Sequence, residues 1–362
     1  MQSEKINIAA DVLVSVGENK LQLCDIYFDS KIKEVKPKSE KIFDWIDLKE
    51  KTRRDDLLKK ISGDSQNSER YLLAIPGAID SHVHFDTPGF EFREDFQHGS
   101  LAAAYGGVTT VIDMPCTSLP PVTSQANLQI KFDAVKNKSH VDYGFWGGIP
   151  GNNFEIGEAL KQDIIDLSNE GVVGFKIYMI SGMKTFSNLS FEQIKIATRL
   201  AGKTGKPLAV HAEDKELVSY REERFGWMES IRDWKSYCQA RDEQAEAEAI
   251  DKLISVAEKI DCRIHVVHLS SRLGLKKIRL AQERGLKIST ETCPHYLYFT
   301  QRDFNNDSIR NFLKTAPPVK FEEDKEALWK GLTDGSILFR LKKPRPLGVV
   351  MNKRLSQKNL YL

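Results

Sequence analysis

Short apolar runs alternate with longer amphipathic stretches along most of this chain of 362 residues. An apolar run of strand length bounded by Gly or Pro predicts a buried strand, and apolar residues at helical spacing predict a helix. Strands that alternate with helices predict an α/β protein built on a parallel sheet. The predicted strands are residues 78–84, 109–114, 141–147, 172–178, 207–211, 263–268 and 287–292.

The last part of this repeating pattern predicts where the sheet is completed. Helices are predicted between the strands, for example at residues 242–260 and 273–284, and another near residues 325–332. An eighth strand is expected at residues 336–341. Eight such units form a (β/α)8 barrel of the TIM type.

The start of the chain follows a different pattern. Residues 12–16 and 20–27 alternate apolar and polar side chains, which predicts short strands outside the barrel. Residues 47–70 are highly charged and read as an exposed insertion. We therefore expect a small N-terminal β segment at residues 1–72, the barrel at residues 73–337 and a basic tail at residues 338–362.

Histidines lie at the ends of several predicted strands. His82 and His84 are two residues apart on one strand, so their side chains share a face. His211 and His268 end two later apolar runs. Because the carboxyl ends of parallel barrel strands meet at one face, these four imidazoles are candidates for a divalent metal site.

Lys176 interrupts the otherwise apolar run of residues 172–179. A buried amine is costly unless it is paired or modified. Carbamylation by carbon dioxide would convert this lysine into an anionic oxygen ligand able to bridge two metal ions. Taken one at a time, a satisfied core histidine or a lysine that reaches solvent explains each residue equally well. Their joint placement at successive strand ends favours the metal site.

Five motifs together resemble the cyclic amidohydrolases, the group that holds allantoinase, dihydroorotase and hydantoinase. The resemblance runs from about residue 5 to about residue 337. The motifs are Asp80-Ser-His82-Val-His84, Gly174-Phe-Lys176, His211-Ala-Glu-Asp214, His265-Val-Val-His268-Leu-Ser-Ser and Glu291-Thr-Cys-Pro-His295-Tyr.

This resemblance implies a metallo-dependent hydrolase with two divalent metal ions, expected to be Zn²⁺. It implies that His82 and His84 bind the more buried ion, that His211 and His268 bind the other, and that a carbamate on Lys176 bridges both. His265 lies three residues before His268 and would face the opposite way on an ideal strand. We therefore expect it to be a packing or outer-layer residue. Glu213 and Asp214 either support the ligands or favour a helix N-terminus.

The implied reaction is the hydrolytic opening of a cyclic amide, in which the metal ions polarise the carbonyl and lower the pKa of water. In the family an aspartate at the end of the eighth strand protonates the leaving nitrogen. No Asp or Glu follows Asp334 in this sequence, so the catalytic residue is left unassigned. We expect an incomplete last strand, from a chain truncated or frame-shifted near residue 338, with a divergent natural C-terminus as the alternative.

The residues beside the predicted ligands bear on the substrate. Dihydroorotases hold the carboxylate of their substrate with an arginine two residues after the second histidine and with an asparagine, and here those positions are Asp86 and Cys116. An aspartate repels a carboxylated substrate. The resemblance therefore favours an allantoinase-like conversion of allantoin to allantoate over dihydroorotase or hydantoinase activity. His295 either contacts substrate or packs. A metal-binding scaffold without turnover is the competing class.

Composition narrows the remaining possibilities. A hydrophobic content of 41% suffices for a large core. The sequence has neither an apolar run of about 18 residues nor a secretory signal, which predicts a cytoplasmic protein without a membrane partner. Five cysteines without framework spacing predict reduced thiols.

The net charge of +2 reflects the basic tail, and the mildly acidic remainder predicts no nucleic-acid binding. The expected partners are a small cyclic ureide and, by resemblance, further copies of the chain.

Overall fold

The computed structural model describes residues 7–17, 20–28, 32–44, 72–74, 77–152, 154–155, 157–224 and 234–338. The charged insertion predicted at residues 47–70 lies outside the described residues. The basic tail lies outside them as well, except for Leu338.

The N-terminal segment forms a sheet of its own. Its strands pair in the order β3-β2-β1-β4, antiparallel except for the parallel pair of β1 and β4. Cys24 and Ile26 of β2 are both buried because alternate residues of a strand share a face. The strands predicted near the start are confirmed. Their bounds are β1 (Asn7–Gly17), β2 (Lys20–Phe28), β3 (Ile32–Asp44) and β4 (Leu72–Ala74).

Parallel strands form the second and larger part of the fold. They pair in the orders β5-β6-β7 and β8-β9-β10-β11-β12. Each of the first seven predicted barrel strands is present within a few residues of its expected bounds. The bounds are β5 (Ala78–Val83), β6 (Val108–Asp113), β7 (Asp142–Phe145), β8 (Gly147–Gly148), β9 (Phe175–Tyr178), β10 (Leu208–His211), β11 (Ile264–Val266) and β12 (Ile288–Thr290).

Trp146 marks the point where the chain passes from one of these two sheets to the other. Its backbone N–H donates to the carbonyl of Asp113 at 3.0 Å, on the side of β6. The next residue, Gly147, donates to the carbonyl of Gly174 at 2.9 Å, on the side of β9. The predicted strand at residues 141–147 is therefore observed as two strands, β7 and β8. The first pairs with β6 and the second with β9.

Helices follow most of the parallel strands, and several begin at a residue whose side chain accepts a backbone hydrogen bond. Asp242 caps one helix through Ala245, and Ser271 caps another through Gly274. None of the helices in the described ranges is both long and apolar enough to cross a bilayer. The helices are α1 (Phe96–Tyr105), α2 (Gln125–Val135), α3 (Glu158–Asn169), α4 (Phe191–Lys203), α5 (Lys215–Arg224), α6 (Trp234–Ala240), α7 (Glu243–Ala257), α8 (Arg272–Glu283), α9 (Pro294–Tyr298) and α10 (Glu322–Asp334).

After α10 the chain returns to the edge of β12. Gly335 ends the helix with a positive φ of 82°, a conformation that glycine adopts without strain. Ile337 is buried, and Leu338 donates its backbone N–H to the carbonyl of Thr290 at 2.9 Å. This is the place expected for the eighth strand, of which residues 336–338 are described. The expected α/β fold of the TIM-barrel type is confirmed.

Candidate metal centre

The four predicted histidine ligands lie side by side. The ring centroid of His82 is 5.3 Å from that of His84 and 5.4 Å from that of His268. The rings of His211 and His268 are 4.6 Å apart. Burial lowers the pKa of all four imidazoles, and for His84 and His268 the pKa falls well below its ordinary value. Burial therefore favours the neutral form, which is the form that binds metal ions.

The ends of two strands position three of these rings. His82 lies in β5 and His84 follows it, and their spacing of two residues keeps both rings on one face. His211 is the last residue of β10 and is in register with Tyr178, the last residue of β9. The two rings stack with their centroids 5.1 Å apart.

His268 reaches the cluster through a turn of the backbone. Strand β11 ends at Val266, and His268 has a φ of +40°, which is rare for a residue other than glycine. The regular alternation of side chains therefore does not extend from His265 to His268. His265 also faces the barrel interior, because it is in register with Ala209, which in turn is in register with Lys176. The expectation that His265 is an outer-layer residue was wrong, because the strand ends before His268.

Lys176 is fully buried, and its Nζ has no hydrogen-bond partner among the described residues. Burial lowers its pKa to about 8. The amine lies 4.9 Å from the ring centroid of Tyr178. An isolated ammonium is unfavourable in this setting. The residue therefore fits a lysine that is neutralised or modified when the site is complete.

The donors present fit a metal centre in which each ion takes ligands from a modified lysine as well as from histidines. No group of three or more His, Cys, Asp or Glu side chains in the described ranges is arranged to hold a metal ion as it stands. The predicted site does not require such a group, since it assigns two histidines to each ion. Neutral imidazole nitrogens and a carbamate oxygen are donor types that suit zinc. The Nδ1 atom of His268 is buried and finds no partner within the part of the chain that is described.

His211 is oriented by a carboxylate on its far side. Its Nε2 lies 2.8 Å from Oε2 of Glu213, and the same oxygen accepts from Nη1 of Arg241 at 2.9 Å. Burial raises the pKa of Glu213, but the bond from His211 and the charge of Arg241 outweigh burial and hold this pKa below its ordinary value. Because Glu213 faces Nε2, the lone pair of His211 available to a metal ion is on Nδ1. Asp214 instead lies at a helix N-terminus. Its Oδ1 accepts from the backbone N–H of Leu217 in the first turn of α5.

Glu291 is a charged neighbour of the cluster to which the sequence analysis assigned no role. Its Oε1 lies 2.6 Å from Nδ1 of His82, and its Oε2 accepts from Oγ of Ser81 at 3.2 Å. Its Oε2 is also 3.3 Å from Nε2 of His265. The available signal was an acidic residue near the end of the predicted strand at residues 287–292, at the start of one of the five motifs.

The three residues predicted to contact substrate have different surroundings. Asp86 is buried with a φ of 48°, and its Oδ2 lies 3.1 Å from Nε of Arg93. Cys116 is buried with its Sγ 3.8 Å from Nδ1 of His84. The ring of His295 packs against that of Tyr296 with centroids 4.1 Å apart. The structure therefore places Cys116 directly beside the histidine cluster, and the substrate roles of all three residues remain predictions.

A buried ion pair supports the segment that follows His84. Oδ2 of Asp113 lies 2.6 Å from Nζ of Lys131, and both side chains are fully buried. The other oxygen of Asp113 accepts from the backbone of Phe85 at 2.8 Å. Lys131 donates to Oγ of Ser118 at 2.9 Å and to the carbonyl of Thr87. This pair ties the end of β6 and helix α2 to the loop after β5, and sequence reasoning did not detect it.

Comparison with known proteins finds one matching family and several similar sequences. A sequence profile of the amidohydrolase family matches residues 73–337. The chain is 36% identical over 266 residues to an allantoinase of Streptomyces avermitilis, covering 73% of this chain and 57% of that protein. It is 36% identical over 274 residues to an allantoinase of Arabidopsis thaliana, covering 73% of this chain and 52% of that protein. The chain therefore spans little more than half the length of these relatives.

Among solved structures, the L-hydantoinase (dihydropyrimidinase) from Arthrobacter aurescens superposes on this chain with a TM-score of 0.72 at 25% identity. The superposition covers 91% of this chain and 67% of that one. The similarity therefore extends over nearly the whole chain.

Proposed function

This chain belongs to the amidohydrolase family, and we propose that it contributes the metal centre of an enzyme that hydrolyses a small cyclic ureide, as an allantoinase does. The observation that carries this proposal is the buried amine of Lys176, which has no partner in the described ranges and lies among histidines whose pKa values are lowered by desolvation. Identities of 36% to allantoinases support the choice of substrate class.

The proposal assigns two divalent metal ions, Zn²⁺ by preference, to the five predicted ligands. His82 and His84 would hold one ion, and His211 and His268 the other. A carbamate on Lys176 would contact both. When bound, the ions supply Lewis acidity for the ring carbonyl and a lowered pKa for water.

The side chains of the protein prepare this centre in three ways. Burial keeps the imidazoles neutral, so that their lone pairs are available. Glu213 binds one nitrogen of His211 and leaves the other for the site. An apolar cluster that includes Met114, Trp146 and Phe186 also contains Cys116, which lies beside His84, and apolar surroundings strengthen electrostatic interactions there.

An uncharged substrate is favoured by Asp86. The carboxylate is almost fully buried, and its Oδ1 has no partner in the described part of the chain. A second negative charge brought near it would be repelled, whereas an N–H of a ureide would be accepted. Ring opening of allantoin to allantoate is therefore preferred over that of dihydroorotate, and hydantoin is the second candidate because a hydantoinase is a structural neighbour.

A cytoplasmic location and assembly with further copies of the chain complete the proposal and come from composition and family resemblance.

The test is an assay of the full chain, prepared with zinc and bicarbonate, on allantoin, dihydroorotate and hydantoin. We expect allantoin to be opened fastest. The variant Lys176→Met should lose this activity and bind less zinc, whereas the control Lys195→Met, which breaks a surface pair with Glu192, should retain both. Stoichiometric zinc without hydrolysis of any of the three rings would contradict the proposed activity and indicate a metal-binding scaffold.

A further inference from the structure

Glu291 connects three strands at the edge of the histidine cluster. It directly follows β12, accepts a hydrogen bond from Oγ of Ser81 and lies 2.6 Å from Nδ1 of His82, both in β5. It also lies within 3.3 Å of Nε2 of His265 in β11. The two oxygens of Glu291 thus face three side chains that can donate hydrogen bonds, which is the setting of an ionised carboxylate.

An ionised carboxylate can only accept hydrogen bonds. Each nitrogen that faces Glu291 must therefore carry a hydrogen. If the hydrogen of His82 were on Nε2 instead, the lone pair of Nδ1 would face a carboxylate oxygen at 2.6 Å, which is repulsive.

We infer that Glu291 is a positioning residue that fixes His82 in the tautomer with hydrogen on Nδ1 and leaves Nε2 as the donor toward the metal centre. The inference rests on the proposed function for the identity of that centre. It parallels the arrangement at His211, where Glu213 occupies Nε2 and leaves Nδ1. Carboxylates that orient histidine ligands in this way commonly raise metal affinity.

His265 completes the arrangement on the other side of Glu291. Its Nε2 faces the carboxylate, and its Nδ1 lies 2.9 Å from Oγ of Ser289. With hydrogen on Nε2, the Nδ1 atom accepts from the serine hydroxyl. A chain of hydrogen bonds then runs from Ser289 through His265 and Glu291 to His82. Each bond in it has one donor and one acceptor. His265 thereby helps hold Glu291 in place.

The first experiment needs neither metal nor substrate. Long-range ¹H–¹⁵N correlation spectra of the full chain with ¹⁵N-labelled histidine, after metal removal, report the tautomer of each neutral ring. We expect hydrogen on Nδ1 of His82 and on Nε2 of His265, with assignments made from His82→Gln and His265→Gln. A wild-type spectrum with His82 protonated at Nε2 would overturn the inference, even if no variant of Glu291 folds.

The second experiment measures zinc affinity by competition with a chelator in Glu291→Gln. The amide replaces one carboxylate oxygen by an NH₂ group, so the two ends of the side chain can no longer both accept from the histidines that face them. We expect zinc affinity to fall about 10- to 100-fold and His82 to lose its single tautomer. The control is Glu246→Gln, another buried carboxylate, which accepts from the backbone N–H and the hydroxyl of Ser270.

The control should bind zinc within about twofold of the wild type, because Glu246 contacts none of the proposed ligands in the described structure. Unchanged zinc affinity and an unchanged His82 tautomer in Glu291→Gln would contradict the inference. A wild-type chain with the expected tautomers that binds no zinc would contradict the proposed function, while supporting the orientation of His82 by Glu291.

Discussion

At the scale of single residues, burial decides which forms of the ionisable side chains are available. The histidine pKa values are lowered, and so is that of Lys176. Burial acts in the opposite direction on the thiols, raising the pKa of Cys116 to about 11 and that of Cys293 to about 12. Both directions follow from the cost of placing a charge away from water.

Thiol reactivity tests this placement. All five cysteines lie in the described ranges and are not joined by disulfides. Because the thiolate is the reactive form, a raised pKa keeps four of them protonated and slow to react at pH 8, namely Cys24, Cys116, Cys262 and Cys293. We expect Ellman's reagent to react slowly with the native chain and rapidly with five thiols after unfolding in guanidinium. Rapid reaction of Cys116 in the native protein would contradict its buried position beside His84.

Sequence reasoning identified the histidines because strand spacing is a local property. The spacing of His82 and His84 places both rings on one face, as predicted. The same rule misplaced His265, because it assumed a strand that continues to His268, whereas the backbone turns after Val266. Glu291 was missed for a different reason. Its contact with His82 joins residues 209 positions apart, and no local pattern reports such a contact.

At the scale of elements, the buried ion pair between β6 and α2 is the clearest device that holds the site in place. Asp113 and Lys131 are both fully buried, and together they bond the loop at Phe85 and Thr87. Such a pair is weak evidence of added stability, because desolvation opposes the attraction. Removing one partner is nevertheless costly, since the other charge stays buried.

We therefore expect Lys131→Met to lower the free energy of unfolding by about 3–5 kcal/mol. The double variant Asp113→Leu with Lys131→Met should recover part of this loss, because no unpaired charge remains. The surface control Lys161→Met removes a half-exposed ion pair with Glu158 and should cost less than about 1 kcal/mol. Urea unfolding followed by circular dichroism measures all three. Equal losses for Lys131→Met and Lys161→Met would show that the pair is not buried in solution.

Elements were predicted better than the contacts between them. The barrel strands were predicted to within a few residues. The helices α7, α8 and α10 lie close to their expected bounds because apolar periodicity over ten or more residues is a strong signal for a helix. The division of one predicted strand into β7 and β8 was not foreseen. It depends on the backbone bonds of Trp146 and Gly147 to two different neighbours, which a strand pattern does not encode.

At the scale of the whole molecule, the proposed ligands come from β5, β9 and β10 and from the turn after β11. A metal ion bound by several strands ties them together, so zinc binding should stabilise the barrel as a unit. At a free zinc concentration 100 times the Kd, the expected gain is about 2.7 kcal/mol. Thermal unfolding with zinc and with EDTA measures this gain as a shift in Tm.

The control compares two histidine variants by their response to zinc. His84→Gln should show a smaller Tm increase on adding zinc than the wild type. His98→Gln changes an exposed histidine outside the cluster, whose Nδ1 pairs with Asp95, and should keep the full increase. The same increase in both variants would mean that zinc stabilises the chain from some other site.

The most direct test of the central claim is whether Lys176 carries a carbamate in the metal-loaded chain. We would prepare the full protein with zinc and ¹³C-bicarbonate and record a ¹³C spectrum, together with a native mass. The account predicts one carbamate signal and two zinc ions in the wild type, with the carbamate lost in Lys176→Met and retained in Lys195→Met. A zinc-loaded wild-type protein with an unmodified Lys176 would contradict it.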